Sequence, residues 1–151
     1  MKTKFLIATD LGSFKAYKLE DDRPYCSPRL ELVEHYIPEA ARRKISDKLT
    51  DLAGRFRNPR SGAGAPRGDR HNLELEERKR LIRLLARRLN GLLAKPDVDG
   101  CYFAAGRAIN REILNGLTSP ARAKIQRNIQ RDLSKTAPAR LLEYFGVDDR
   151  H

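Results

Sequence analysis

Apolar and polar positions fall into short blocks over the first 36 residues and into a helical rhythm from residue 72 onward. Phe5, Leu6, Ile7 and Ala8 form an apolar run closed by Asp10 and Gly12, which predicts a buried strand over residues 4–9. A tight turn over Asp10–Ser13 leads to Phe14, Ala16, Tyr17 and Leu19, a second, antiparallel strand expected at an edge of the sheet. Asp21–Pro24 reads as a turn, and Leu30, Leu32, Glu34 and Tyr36 predict a third strand over 29–36. Residues 45–52 are ambiguous, with one or two helical turns at most.

Residues 54–71 interrupt this pattern with glycine at 54, 62, 64 and 68, proline at 59 and 66, and arginine at 55, 57, 60, 67 and 70. Such a stretch cannot build a core, and it reads as a flexible basic loop. Asn72 can cap the helix that follows, with Glu74, Glu76 and Glu77 in its first turns. Leu75, Leu81, Ile82, Leu85, Ala86, Leu89 and Leu92 give this helix one apolar face, ending near Leu93. Its other side carries Lys79, Arg80, Arg83 and Arg87, and Glu76 is spaced to pair with Arg80.

After Pro96, the Cys101–Ala105 run reads as a central parallel strand, followed by a helix with Ile109, Ile113, Leu114 and Leu117 inward and a stop at Asn115–Gly116. Ile125, Ile129 and Leu133 recur every four residues, so the residues alone favour helix over 121–133. Pro138 starts a last helix with Leu141, Leu142 and Phe145 inward, and Gly146 stops it. The result is one α/β domain over residues 1–147, a mixed sheet flanked by helices, with a frayed tail at 148–151.

Charge changes the functional picture more than the fold. The 151 residues contain 31 Lys plus Arg against 20 Asp plus Glu, a formal +11 that attracts nucleic acid or another anionic surface. Two cysteines, Cys26 and Cys101, make no disulfide scaffold. The apolar start is too short for an export signal, and no stretch approaches a membrane span, so the expected compartment is the cytoplasm.

Candidate chemistry is sparse. The loop lacks a glycine-rich phosphate motif ending in Lys and Ser or Thr. Asp10 follows the first strand whereas Asp97 and Asp99 precede the central one, which places them at opposite ends of the sheet. Three histidines, His35, His71 and His151, with two distant cysteines give no zinc spacing, so no metal or cofactor is expected. Ser13, Ser61 and Ser119 sit in turn contexts, and no nucleophile has an oriented base. Gly106-Arg107, at the junction of strand and helix, can present free amides and a cation to an anion. Five scattered tyrosines form no platform for bases, which favours backbone recognition.

The opening Thr3–Tyr17, Gly54-Arg55, His71 before the long helix, Gly100–Gly106 and the Ile125–Leu133 region together resemble the bacterial host attachment protein family, which is related to the middle domain of archaeal and eukaryotic peptide-chain release factor one. That resemblance implies a ribonuclease H-like mixed sheet and a strand within 124–132. In the release factor the equivalent loop presents a Gly-Gly-Gln tip. Here Gly54-Arg55 is kept, but residues 56–70 hold no glutamine and no adjacent glycine pair, so peptide release is not carried over. The family's Pro-Pro element after the central strand is replaced by Ala105-Gly106-Arg107.

The leading expectation is a non-catalytic module associated with RNA or the ribosome. It would contact phosphates through Arg55, Arg57, Arg60, Arg67, Arg70, Lys79, Arg80, Arg83, Arg87 and Arg107, with His71 at the loop-to-helix junction. A metal-dependent nuclease or peptidyl-tRNA hydrolase is the enzymatic alternative. A third reading is a protein-interaction factor indirectly linked to host attachment, with an acidic partner. A homo-oligomer formed through the sheet edge at 14–19 stays open.

Overall fold

The structure, a computed structural model, describes residues 3–20, 28–39 and 67–147. Its strands are β1 (Thr3–Asp10), β2 (Ser13–Glu20), β3 (Arg29–Tyr36), β4 (Val98–Ala105) and β5 (Ile125–Ile129). Its helices are α1 (Arg67–Leu93), α2 (Arg107–Asn115), α3 (Ser119–Ala123) and α4 (Pro138–Tyr144). The strands lie in the order β3-β2-β1-β4-β5. β1 runs antiparallel to β2 and parallel to β4, β2 runs antiparallel to β3, and β4 runs parallel to β5. This is the mixed, ribonuclease H-like sheet that the resemblance implied.

Alternation along the strands loads both faces. Phe5, Ile7, Phe14, Ala16, Cys101, Phe103 and Ala105 meet α1, α2 and α3 on one face. Leu6, Ala8, Tyr17 and Ala104 meet Leu133 and α4 on the other. Burial pushes the pKa of the Cys101 thiol up and also raises that of Tyr17, so neither ionises readily. The Asp10–Ser13 turn forms as expected, with Asp10 Oδ1 accepting from Gly12 N at 2.7 Å. Gly146, at φ +67°, ends α4 as expected, and Val147 N donates to Leu142 O.

Three expectations need correction. The strand at 14–19 is not an edge: β2 is paired on both sides, and β3 and β5 are the outer strands of the described sheet. The first antiparallel pair therefore gains a third strand on β2, and residues 14–19 offer no free edge for self-association. Helix α1 begins at Arg67, five residues before Asn72, so Arg67, Arg70 and His71 belong to helical backbone and not to the loop. Asparagine is tolerated inside a helix at modest cost, and propagation from an existing turn gains a hydrogen bond per residue. Finally, residues 125–129 are a strand, as the resemblance implied, and not helix.

The misleading four-residue spacing has a structural cause. The register between β4 and β5 shifts by one residue at Gln126, and a side chain on Gly100 would overlap the Gln126 amide at 2.6 Å. The bulge puts Ile125 against the α1 face and Ile129 against the α4 face, although both have the same parity. β3 repeats the device at Val33: Tyr36 packs on one face and Leu30 on the other.

Helix α1 is about 40 Å long against about 26 Å for an eight-residue strand, so its early turns extend past the sheet. Leu73 and Leu75 are accordingly 70% and 41% exposed. Farther along, Ala86 packs against Gly116, where a Cβ would come within 2.8 Å of the alanine methyl. Gly116→Ala is therefore expected to destabilise the fold by about 1–3 kcal/mol in urea denaturation, and Ala86→Gly should recover part of the loss by removing that clash. The same turn is held by Asn90, whose Nδ2 donates to Gly116 O at 3.1 Å and whose Oδ1 accepts from Thr118 N at 3.0 Å.

Candidate nucleic-acid interface

The hundred-degree step of α1 sends Leu81, Ile82, Leu85, Ala86, Leu89 and Leu93 into the core. Lys79, Arg80, Arg83 and Arg87 are left exposed. Arg80, Arg83 and Arg87 follow one another at three- and four-residue intervals and so form a row, with rises of about 4.5 and 6 Å along the axis. Arg80 and Arg87 have no ion pair among the described residues. Arg83 Nε has only the backbone oxygen of Lys79, at 3.4 Å. Glu76 pairs with Lys79 at 3.8 Å, so the expected pairing with Arg80 does not form.

Two other arginines of α1 are structural. Arg78 donates to Glu112 Oε2 at 2.9 Å and to Ala108 O at 2.6 Å, fixing α1 to the start of α2. Arg88 donates to Glu34 Oε1 at 2.6 Å and lies 3.7 Å over the Tyr36 ring, fixing α1 to β3. At the C-terminus of α1, the Lys124 ammonium donates to Leu93 O at 2.5 Å, a favourable place for a cation. None of these partnerships had a sequence signal, because the residues are 30 or more positions apart.

Beside the row, Arg87, Arg88, Leu84, Gly91, Leu92 and Glu34 line a cavity of about 410 Å³. Lys95 lines the same cavity, and with Lys18 and Val33 it lines an adjoining one of about 290 Å³. Glu34 lines both cavities, and its Oε2 is sealed from solvent without a hydrogen-bond partner among the described residues.

Of the other residues singled out from the sequence, Arg55, Arg57 and Arg60 lie outside the described residues, as do residues 45–52 and 148–151. Arg67, Arg70 and His71 are placed on the first turns of α1. Arg107 is exposed at the start of α2, at the C-terminal end of β4, next to Ala108, whose carbonyl accepts from Arg78 of α1. Asp10 and Asp97 do stand at opposite ends of the sheet, since β1 is parallel to β4 and Thr3 Oγ1 donates to Asp97.

A polar cluster that the sequence had not flagged occupies the C-terminal strand ends. Buried Ser134 bridges Asp10 Oδ2 at 2.7 Å and Asp132 Oδ1 at 2.6 Å. Fully buried Asn110 donates to Asn128 Oδ1 at 2.7 Å, to Ile129 O at 3.2 Å and to Ala105 O at 3.3 Å, and it accepts from Asn128 Nδ2 at 2.9 Å. A polar residue beside the inward Ile109 and Ile113 was the available cue. Among the described residues no group of three or more His, Cys, Asp or Glu could hold a metal ion.

The sequence from residue 6 to residue 145 matches the family model described as "Protein required for attachment to host cells". The chain belongs to this host-attachment family. No curated protein matches the family member described here. Among solved structures it is similar to the archaeal translation termination factor aRF1, at 12% identity and a TM-score of 0.39. That alignment covers 94% of this family member but 37% of the termination factor. No helix among its described residues is long and apolar enough to cross a membrane.

Proposed function

We propose that this host-attachment family member is a non-catalytic RNA-associated module that grips the phosphate backbone of structured RNA, such as that of the ribosome, along α1. The observation that carries this reading is the exposed row of Arg80, Arg83 and Arg87 on a helix whose other described arginine side chains, Arg78 and Arg88, are tied down. The formal +11 supports it by drawing a polyanion toward that face. Among the described residues no tyrosine offers a bare ring beside the row: Tyr17 is buried, Tyr36 lies under Arg88, Tyr102 stacks on Phe145, and Arg131 lies over Tyr144. Contacts to phosphates therefore dominate over contacts to a run of stacked bases. In this reading the basic segment at 54–66, Arg67, Arg70, His71 and Arg107 supply further phosphate contacts.

Fluorescence anisotropy on a paired RNA hairpin over a range of salt concentrations tests it. The wild type is expected to lose affinity steeply with salt. The variant carrying Arg80→Ala, Arg83→Ala and Arg87→Ala should show a salt slope shallower by about 2–3, with unchanged circular dichroism. Equal slopes for the two proteins would overturn the assignment of the row. Loss of the same variant from a ribosome pellet at moderate salt would extend the result to that assembly.

A further inference from the structure

The outward side of α1 carries groups that phosphate binding does not use. Leu73, Glu77, Arg80, Leu84, Arg87 and Gly91 follow one another in alternating steps of four and three residues, the repeat of a coiled-coil seam. None of them belongs to the core: Leu73 is 70% exposed, Arg80, Arg87 and Gly91 are exposed, and Glu77 and Leu84 are half-buried. Glu77, like Arg80 and Arg87, has no ion pair among the described residues. At its far end the seam opens on the cavity that Leu84 and Leu92 wall with apolar atoms, and a Cβ added to Gly91 there has nothing within 4 Å. A leucine without a pocket thus stands at one end of the seam and a pocket at the other, about 27 Å along the axis.

We infer that α1 docks on α1 of a second copy of this chain, antiparallel and about a two-fold axis. Turned end for end, with Arg80 opposite Leu84, the seam is complementary to itself. Leu73 of each copy then enters the cavity at Gly91 of the other, Glu77 faces Arg87, and the aliphatic stem of Arg80 lies on Leu84. The two-fold makes every contact twice. A parallel pairing would set Glu77 on Glu77, Arg80 on Arg80 and Arg87 on Arg87, and like charges in that position repel. The charge pattern therefore selects the antiparallel dimer, and a second copy brings the matching pattern by construction. RNA bound along the arginine row would leave Leu73 and Glu77 without a role. The inference goes beyond the RNA reading and does not rest on it: pairing takes up Arg80 and Arg87, so a polyanion and a second copy compete for this side of α1.

Sedimentation velocity over a range of protein concentrations, at low salt and without RNA, tests it. The wild type is expected to pass from monomer to dimer as concentration rises, and to return toward monomer as salt screens the charge pairs. Glu77→Arg and Arg87→Glu each set like charges opposite one another at both symmetric places, and each should weaken the dimer by about tenfold or more. Together they restore opposite charges in reversed order, so the double variant should dimerise as the wild type does. Leu73→Gln removes the inserted side chain at an exposed site with little change in helix propensity, and Gly91→Leu fills the opening that receives it. Each of these should also weaken the dimer by about tenfold, with unchanged circular dichroism.

A wild type that stays monomeric at every concentration would overturn the inference. A dimer indifferent to all of these substitutions would do the same, by placing the contact on another surface such as the outer edge of β3, and so would a double variant no better associated than either single one. With no RNA in the cell, each outcome is read separately from the salt-slope test of the arginine row.

Discussion

Phe103→Ala is expected to lower the unfolding free energy by about 3–5 kcal/mol, the usual cost of deleting a buried phenyl ring from a packed core. Phe103 is fully buried in β4, with Ile7 of β1 opposite it on one side and Asn128 of β5 on the other. Its ring fills the layer under α1 and α2, where Ile82, Leu85, Leu89 and Ile113 belong to the same core. Strands on both sides hold the backbone, so the surroundings cannot collapse far into the space left behind. With total stability for a domain of this size at about 5–15 kcal/mol, the variant should unfold at markedly lower urea concentration and lower temperature. Phe103→Leu should recover most of the difference. A shift of less than about 1 kcal/mol for the alanine variant would mean that this layer of the core is not packed as described.

Asn110→Ala is expected to cost about 2–4 kcal/mol, through lost hydrogen bonds more than lost volume. The Asn110 amide joins α2 to the ends of two parallel strands by meeting Ala105 O, Ile129 O and the Asn128 side chain. Truncation removes the amide donor from both carbonyls and takes the reciprocal partner from the Asn128 amide. Asn128→Ala should cost less, because Asn110 would still meet the two backbone oxygens. The double variant should be less destabilised than the two single effects added, since each single change already removes the reciprocal amide pair. Strict additivity in chemical denaturation would show that the two amides do not act on each other.

The alternation of β1 and β2, the helical stripe of α1 and the stop at Gly146 were legible because each depends on neighbours in the chain. The errors arose where a distant strand decides the local outcome. Ile125 and Ile129 look like one helical face, and only the register against β4 shows that Gln126 separates them onto opposite sides of a strand. Leu30, Leu32, Glu34 and Tyr36 were correctly read as a strand, but their common parity concealed the bulge at Val33. The second strand became internal because β3 pairs with it, a choice of neighbour that no period in residues 14–19 encodes.

For the candidate site, the helical period set Lys79, Arg80, Arg83 and Arg87 apart on the side away from the core, but it gave no sign of the partners that hold Arg78 and Arg88. Arg80 and Arg87 differ from Arg78 and Arg88 only through Glu112, Ala108, Glu34 and Tyr36, which come from other elements. The Asp10–Ser134–Asp132 bridge spans 124 positions and was equally out of reach.

Arg78 anchors α1 to α2, and Arg88, ten residues later, anchors it to β3. Fastened at two heights and to two different neighbours, the helix is held against rolling and sliding, and the backbone positions of Arg80, Arg83 and Arg87 between the fasteners keep a set spacing. If the proposed reading holds, a polyanion would meet a helix whose main chain is already ordered, so the entropy surrendered on docking would come from side-chain torsions.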